Sequence, residues 1–492
     1  MRIRKAFLFF ILATSCAWNA LAQHVLTLDS CRSMALDNNK QLAMARTQRQ
    51  KAFYDRKAAH TNYLPKVSLM AGYVRTGKEI SILSDNQKTK LSTFGTSLSS
   101  DFSGIAQQIV AQHPDLAPLV QGVAEQLGPL ASAADAAGSR IADAFRTDTR
   151  NMTMGAILLT QPLYMGGKIK AYERITEYSQ SLASQQERAA RQEVLLDVDK
   201  AYWQVVSLVN KRRLAVGYRD MLARLDSDMT KMIAEGVATK SSGLSVSVKL
   251  NEAEMTLVKV DDGLALSRML LNQLCGLPLE ARPVLADEAS ADLPSDSSQV
   301  TADAATAFSF RPEIGQLQLA QDIYAQKVKI ERSAFLPQLA LMGGYMLSNP
   351  NVFNSFEKKF RGTWAVGVTL KVPVWNWGEG KYKVKSAKAD ALVAELKTAE
   401  AREKIELQVN QEAFRVNEAN HKYSLSRKNL EKAEENLRTA QVGFREGVIT
   451  TSDLLQAQTA WLQAHSDKID SQIDLKLTRA AYHKALGTLG AE

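Results

Sequence analysis

Between about Lys381 and Gln441 apolar and small residues recur at steps of three and four, with no proline and almost no glycine. Into the end of that stretch run Leu430, Ala433, Leu437, Ala440 and Phe444, the spacing of one buried helix stripe. The pattern breaks at Phe444-Arg445-Glu446-Gly447-Val448-Ile449-Thr450-Thr451-Ser452-Asp453 and resumes at Leu454, Leu455, Ala457 and Trp461, with Ser452 or Asp453 placed to cap a second helix. This predicts a helical hairpin. At 1.5 Å per residue its first arm makes a rod about 100 Å long, more than one globular domain covers, so its seam must meet other helices side by side as in a coiled coil.

The hairpin occurs twice. Glu235-Gly236-Val237, Pro162 and Gly276 recur 211 positions later as Glu446-Gly447-Val448, Pro373 and Gly487. Gly167 to Glu235 is then the first long helix, and the return arm ends at Cys275-Gly276. Leu64-Pro65 through Tyr73 matches Leu336-Pro337 through Tyr345 at an offset of 272, so the first copy carries about 61 extra residues between Tyr73 and Met152.

Ahead of each long helix the period shortens to two, which is strand spacing. Four strands are expected, over residues 64–74, 152–164, 336–346 and 363–375. In the last, Trp364, Val366, Val368, Leu370 and Val372 share one face, and Thr363, Ala365, Gly367, Thr369 and Lys371 the other. An apolar outside, a small and polar inside and aromatic ends (Trp364; Trp375 and Trp377) are how a lipid-facing barrel strand reads. Tyr63, Tyr164 and Phe335 add to one aromatic girdle, Tyr73 and Tyr345 to the other. Strand by strand, an ordinary half-buried sheet reads equally well; four such strands in a secreted chain favour the membrane. Four strands cannot close a barrel, and open edges do not survive in lipid. Three copies of the chain would supply twelve strands, and two repeats in each would make the trimer look nearly sixfold.

Secretion is read from residues 1–22. Arg2, Arg4 and Lys5 precede an apolar run, and Ala20-Leu21-Ala22 supplies small residues for cleavage. Cys16 is the alternative, as a lipid-attachment site, but Ala13 stands where a large aliphatic residue is usual. No later run is apolar enough for a membrane helix. Removing the leader lowers the formal net charge from +9 to about +6, with no basic run to suggest nucleic acid. Cys31 and Cys275 are too few for a disulfide framework and read as core thiols. The six histidines form no pair at ligand spacing, so no metal and no cofactor is expected. Gly378-Glu379-Gly380-Lys381 lacks the spacing of a phosphate loop and reads as a strand-to-helix bend; nothing requires an enzyme.

Together, the leader, the duplicated order of Leu-Pro strand, Pro-containing strand, long helix, Glu-Gly-Val turn and return helix, and the segments Gln161-Pro162-Leu163-Tyr164-Met165-Gly166-Gly167 and Val372-Pro373-Val374-Trp375-Asn376-Trp377-Gly378 resemble the TolC-like outer-membrane efflux proteins. The resemblance implies a homotrimer in the bacterial outer membrane, a twelve-stranded transmembrane β-barrel continuing into a long antiparallel α-helical barrel through the periplasm. It implies a passive exit duct for small molecules, with a periplasmic adaptor protein and an inner-membrane transporter as partners and outer-membrane lipid around the barrel. By position it places adaptor-docking tips at Glu235, Gly236, Val237, Ala238 and Thr239 and at Glu446, Gly447, Val448, Ile449 and Thr450, and a periplasmic gate at Phe444 and Asp453. Ile449 stands where the family often has an arginine, Gln456 replaces the innermost carboxylate, and Ser242 takes the acidic position in the first copy. A gate closed mostly by packing is therefore expected.

The chain then divides into a leader (1–22), a first repeat (23–276, with strands 64–74 and 152–164, an extracellular insertion 75–150 and a hairpin 167–276), a linker (277–300), a second repeat (301–487, with its hairpin at 381–487) and a short tail (488–492). The insertion is rich in Ala, Ser, Gly and Gln and is expected as a surface loop, disordered or loosely helical, with helix-like stretches at Ile105–Gln112 and Leu119–Leu127. Two rivals remain: the exit duct of a protein-secretion system, and a surface coiled-coil adhesin or scaffold whose binding head is the insertion. An adhesin stalk has no need of four aromatic-flanked amphipathic strands.

Overall fold

The computed structural model describes residues 25–77, 83–145, 150–290, 298–351 and 358–490; the leader with Cys16, and Pro294 of the linker, lie outside them. In chain order the elements are β1 (Val25–Leu26), α1 (Leu28–Asn38), α2 (Lys40–His60), β2 (Lys66–Arg75), α3 (Asp85–Ser92), α4 (Phe94–Gln112), α5 (Ala117–Ala144), β3 (Asn151–Met165), α6 (Lys168–Ala234), α7 (Lys240–Cys275), β4 (Val284–Leu285), α8 (Ala304–Phe310), α9 (Pro312–Ser333), β5 (Gln338–Asn349), β6 (Arg361–Lys371), α10 (Glu379–Arg445) and α11 (Thr451–Leu486). They divide into a helical unit (described residues up to Ala59, Lys170–Glu331 and from Lys381) and a second unit (His60–Ile169 and Arg332–Gly380).

In the helical unit the duplication is metrical. Both long helices have 67 residues and both return helices 36. Each long helix centres a core: Val198, Tyr202, Val205 and Val206 of α6 pack with Cys31 of α1, Leu271 and Cys275 of α7 and Ile473 of α11, while Ile405, Val409, Ala413 and Val416 of α10 pack with Ala307, Ile314 and Tyr482. The first core also fixes the start of the chain. Arg32 forks onto Asp199, its Nε 2.8 Å from Oδ1 and its Nη2 2.7 Å from Oδ2, and Tyr202 donates to Asp287 at 2.5 Å. Cys31 and Cys275 are fully buried; a hydrogen bond to Cys275, then burial, push the Cys31 thiol upward, which keeps it protonated.

Glycine closes both return helices. Gly276 and Gly487 hold φ of 75° and 77°, and the amides of Leu277 and Thr488 reach back to Asn272 and His483 at 2.8 and 2.9 Å, the hydrogen bonds of a Schellman motif. A Cβ on Gly487 would lie 2.7 Å from the backbones of Phe310 and Arg311. Gly487→Ala is therefore expected to lose about 1–2 kcal/mol to the left-handed conformation, plus the cost of moving that backbone. A lowered melting temperature reports it. Gly217→Ala, in mid-helix with open space around its Cβ, is the control and should gain about 0.5–1 kcal/mol.

In the second unit four strands form one antiparallel sheet in the order β2-β3-β5-β6, which leaves β2 and β6 as open edges. The strands begin and end within two residues of expectation except at two ends. β6 stops at Lys371 rather than 375, because Pro373 has no N–H for the ladder, and β5 runs on to Asn349. β3 keeps Pro162 by shifting register between Pro162 and Tyr164.

The insertion corrects the sequence reading. Instead of a loose loop it holds three helices, α3, α4 and α5, packed through small residues. A Cβ on Gly95 would stand 2.0 Å from the Ala131 carbonyl oxygen, and one on Gly138 1.8 Å from that of Leu91, so these helices touch backbone to backbone. Asp135 of α5 caps α4 from 40 residues away, accepting from the amides of Gly95 (2.7 Å) and Thr96 (3.1 Å) and from the Thr96 hydroxyl. The seams are built of Gly and Ala, residues that also make up loops, which is why the helices were only partly visible in the pattern.

Candidate functional site

Two surfaces carry the candidate residues: the turns of the helical hairpins and one face of the sheet. Each turn begins with a glycine that ends the long helix, Gly236 at φ 74° and Gly447 at φ 72°. The amides of Gly236 and Val237 bond to the carbonyls of Ile233 and Met232, and those of Gly447 and Val448 to Phe444 and Gly443, giving the same Schellman pair twice. Thr239 then caps α7 by accepting from the Ser242 amide at 3.1 Å, and Thr450 caps α11 by accepting from the Asp453 amide at 3.2 Å. The cap of the second return helix is thus Thr450, not Ser452 or Asp453 as the sequence pattern indicated. Asp453 is the reciprocal partner, accepting from the Thr450 amide and hydroxyl, and those hydrogen bonds hold its carboxyl below the usual range.

The two tips share one core. Leu222, Leu225 and Met229 of α6, Val246 of α7, Leu437 and Ala440 of α10 and Leu454 and Leu455 of α11 form a single cluster, with Phe444, Ala238 and Ile449 half-buried against it. Glu235, Glu446, Val237 and Val448 point to solvent; Val237 is 73% and Val448 78% exposed, so neither valine is spent on the fold. A groove of about 670 Å³ runs between the first turns of α7 and α11, lined by Ser241, Leu244, Val248, Lys249, Ser452 and Gln456. Leu244 and Val248, both exposed, were missed in the sequence; their step of four on a face without a buried role is the signal that marks them.

On the sheet, register sorts the side chains. Leu69, Ile157, Tyr345 and Trp364 stand in one cross-strand row, and Val67, Leu159, Gly343 and Val366 in the next row on the same face. Ser68, Leu158, Gly344 and Ala365 form a row on the opposite face, beside Met70-Ala156-Met346-Thr363. In these rows one face carries only apolar side chains or glycine, while the other is small, polar or methionine apart from Leu158. Tyr345 and Trp364 are register partners, and Gly362 leaves room for the Tyr345 ring, which a Cβ there would strike at 2.2 Å. Tyr73 lies four positions farther along β2 and donates to Asn151 at 2.8 Å, while Tyr164 pairs with Leu339 near the other end. Tyr63 supplies a backbone carbonyl to Gln161, and Phe335 packs under Gly380. Trp375 and Trp377 lie edge to face, 5.8 Å apart, beyond the end of β6 and largely exposed.

Known proteins resemble this arrangement. A model of the outer membrane efflux protein family matches residues 107–277 and 305–488. The fusaric acid resistance protein FusA of Burkholderia cepacia is 27% identical over 254 residues, covering 49% of this chain and 46% of that protein. The alkaline protease secretion protein AprF of Pseudomonas aeruginosa is 25% identical over 232 residues, 46% of this chain and 47% of that protein. The chain thus spans about half the length of these two relatives. In three dimensions the outer membrane protein VceC of Vibrio cholerae superposes with a TM-score of 0.69 at 15% identity, covering 94% of this chain and 96% of that one, which is a likeness of fold.

Proposed function

The chain belongs to the outer membrane efflux protein family, and from that premise we propose that it is the passive outer-membrane exit duct of a three-part efflux system. Three chains join β6 of one to β2 of the next and close a barrel of twelve strands in lipid, with Tyr63, Tyr73, Tyr164, Phe335, Tyr345, Trp364, Trp375 and Trp377 at its two interfaces. The paired hairpins of the three chains enclose the periplasmic passage. At their tips, residues 235–239 and 446–450 receive a periplasmic adaptor, which hands over small molecules from an inner-membrane transporter. No bond is made or broken in the duct; the transporter below supplies the work.

The observation that carries this reading is the sheet with two open edges and one face that is mainly apolar through its middle rows. Water does not favour that face, and hydrocarbon does not tolerate those edges unless they meet another chain. Extraction of the outer-membrane fraction in mild detergent should give trimers on unheated gels that fall to monomers on heating, and these trimers should conduct ions in planar bilayers. A folded monomer that is soluble without detergent, or trimers that insulate, would overturn it. AprF is named for the secretion of a protease, and a duct of the same build that passes an unfolded protein is the second reading; transport of a secreted protein, with drug susceptibility unchanged on deletion, would favour it.

At the inner end, Phe444 and the tip cluster close the passage by packing, and Asp453 holds the turn through its capping bonds to Thr450. Phe444→Ala is expected to raise single-channel conductance and the uptake of bulky external compounds. Unchanged conductance would assign Phe444 to packing within the protomer alone.

A further inference from the structure

The helical insertion has apolar surface left over. Its internal seam uses Gly95, Ala106, Ala131 and Gly138, yet a second stripe on each helix stays exposed: Phe94, Leu98 and Ile105 on α4, and Leu119, Val123 and Leu130 on α5. These positions keep steps of four and seven, the spacing of a helix seam that meets another helix. Few charges interrupt them, and α4 carries only Asp101.

We infer that these stripes pack against those of the other two copies, forming a bundle of helices over the outer mouth of the duct. The inference rests on the trimeric reading above. Chain connection supplies the occupant. The insertion leaves β2 after Arg75 and returns to β3 at Asn151, where Thr76 donates to Arg150 at 2.8 Å, so all three insertions rise from the same rim. Twelve strands about 4.8 Å apart and tilted about 40° enclose a mouth about 24 Å across between backbones. Helices with their side chains are about 10–12 Å thick, so three multi-helix insertions over such a mouth cannot avoid one another. The surfaces that meet are identical by symmetry, and an apolar stripe with few charges is self-compatible where a charged one is not.

Cysteine cross-linking in the full-length trimer tests this. Leu119→Cys and Leu130→Cys, made singly, should give disulfide-linked chains on mild oxidation, and Glu125→Cys on the far face of α5 should not. The native Cys31 and Cys275 are fully buried and stay silent. Replacing residues 77–149 with Asn-Gly, a two-residue turn that suits the pairing of Thr76 with Arg150, in a Phe444→Ala chain whose inner end is open, should leave the trimer intact and raise conductance about twofold or more over Phe444→Ala alone. An intact trimer without stripe cross-links, or with a foreign chain trapped at the stripe, overturns the bundle and leaves the duct standing; unchanged conductance in the shortened chain overturns its place over the mouth. Absence of any trimer overturns the duct reading and the bundle with it.

Discussion

Val448→Asp, and to a similar degree Val237→Asp, will abolish efflux while leaving the melting temperature of the trimer unchanged. Both valines follow a helix-ending glycine, and both are about three-quarters exposed, so nothing in the chain depends on their methyl groups. An apolar residue held in the same place on both tips by the same pair of backbone hydrogen bonds is presented to something outside the chain. If that is the adaptor, a carboxylate there is buried without a partner, at a cost of about 3–5 kcal/mol, or a factor of about 10² to nearly 10⁴ in affinity. The turn itself is tested separately by Gly447→Ala. It pays only the left-handed conformation, about 1–2 kcal/mol, because a Cβ at that position meets nothing within 4 Å. Cross-linking yield to the adaptor and the susceptibility of cells to an expelled compound read the first effect, and thermal unfolding reads the second. Full adaptor cross-linking and efflux by Val448→Asp would reduce the tips to turns.

The turns were legible because the chain states them twice. Glu-Gly-Val at one offset from Pro162 and Gly276, and again from Pro373 and Gly487, marks both hairpin turns without any structure, and period-two alternation in β6 marks the apolar face of the sheet. What stayed hidden depends on distant partners or on residues with little contrast. Asp135 reads as a surface acid until α4 is seen to begin beside it. Thr450 and Asp453 compete as caps in the sequence, and only the reciprocal hydrogen bonds assign Thr450 as the cap and Asp453 as its partner. The seams through Gly95 and Gly138 resemble loop composition because close backbone approach replaces side-chain packing there. The fork of Arg32 on Asp199 spans 167 positions and has no spacing signal at all.

That fork is where the largest loss of stability is expected. Asp199 is 1% exposed on α6, and burial raises its carboxyl above the usual range more than the guanidinium lowers it, so the pair is held by geometry against a desolvation cost. Arg32→Ala strips the partner and leaves the carboxylate uncompensated in the core that fastens α1, with Cys31, to α6 and α7. A loss of about 3–5 kcal/mol is expected at neutral pH. The sign of its pH dependence follows from the direction of the shift. Without Arg32 the folded-state pKa of Asp199, already raised in the parent protein, rises further above its unfolded value of about 3.9, so the folded variant takes up the proton first, and its deficit against the parent grows as pH climbs from the parent's raised pKa through the variant's higher one. Below about pH 4 Asp199 is protonated in both states and the deficit is smallest. The double variant Arg32→Met with Asp199→Leu removes both charges and should recover most of the stability, giving a coupling energy of opposite sign to the single losses. Denaturant unfolding of the detergent-solubilised protein at pH 4 and pH 7 reads Arg32→Ala, the double variant and its two single components; equal deficits for Arg32→Ala at both pH values would mean that the buried carboxylate is not what the arginine is there to neutralise.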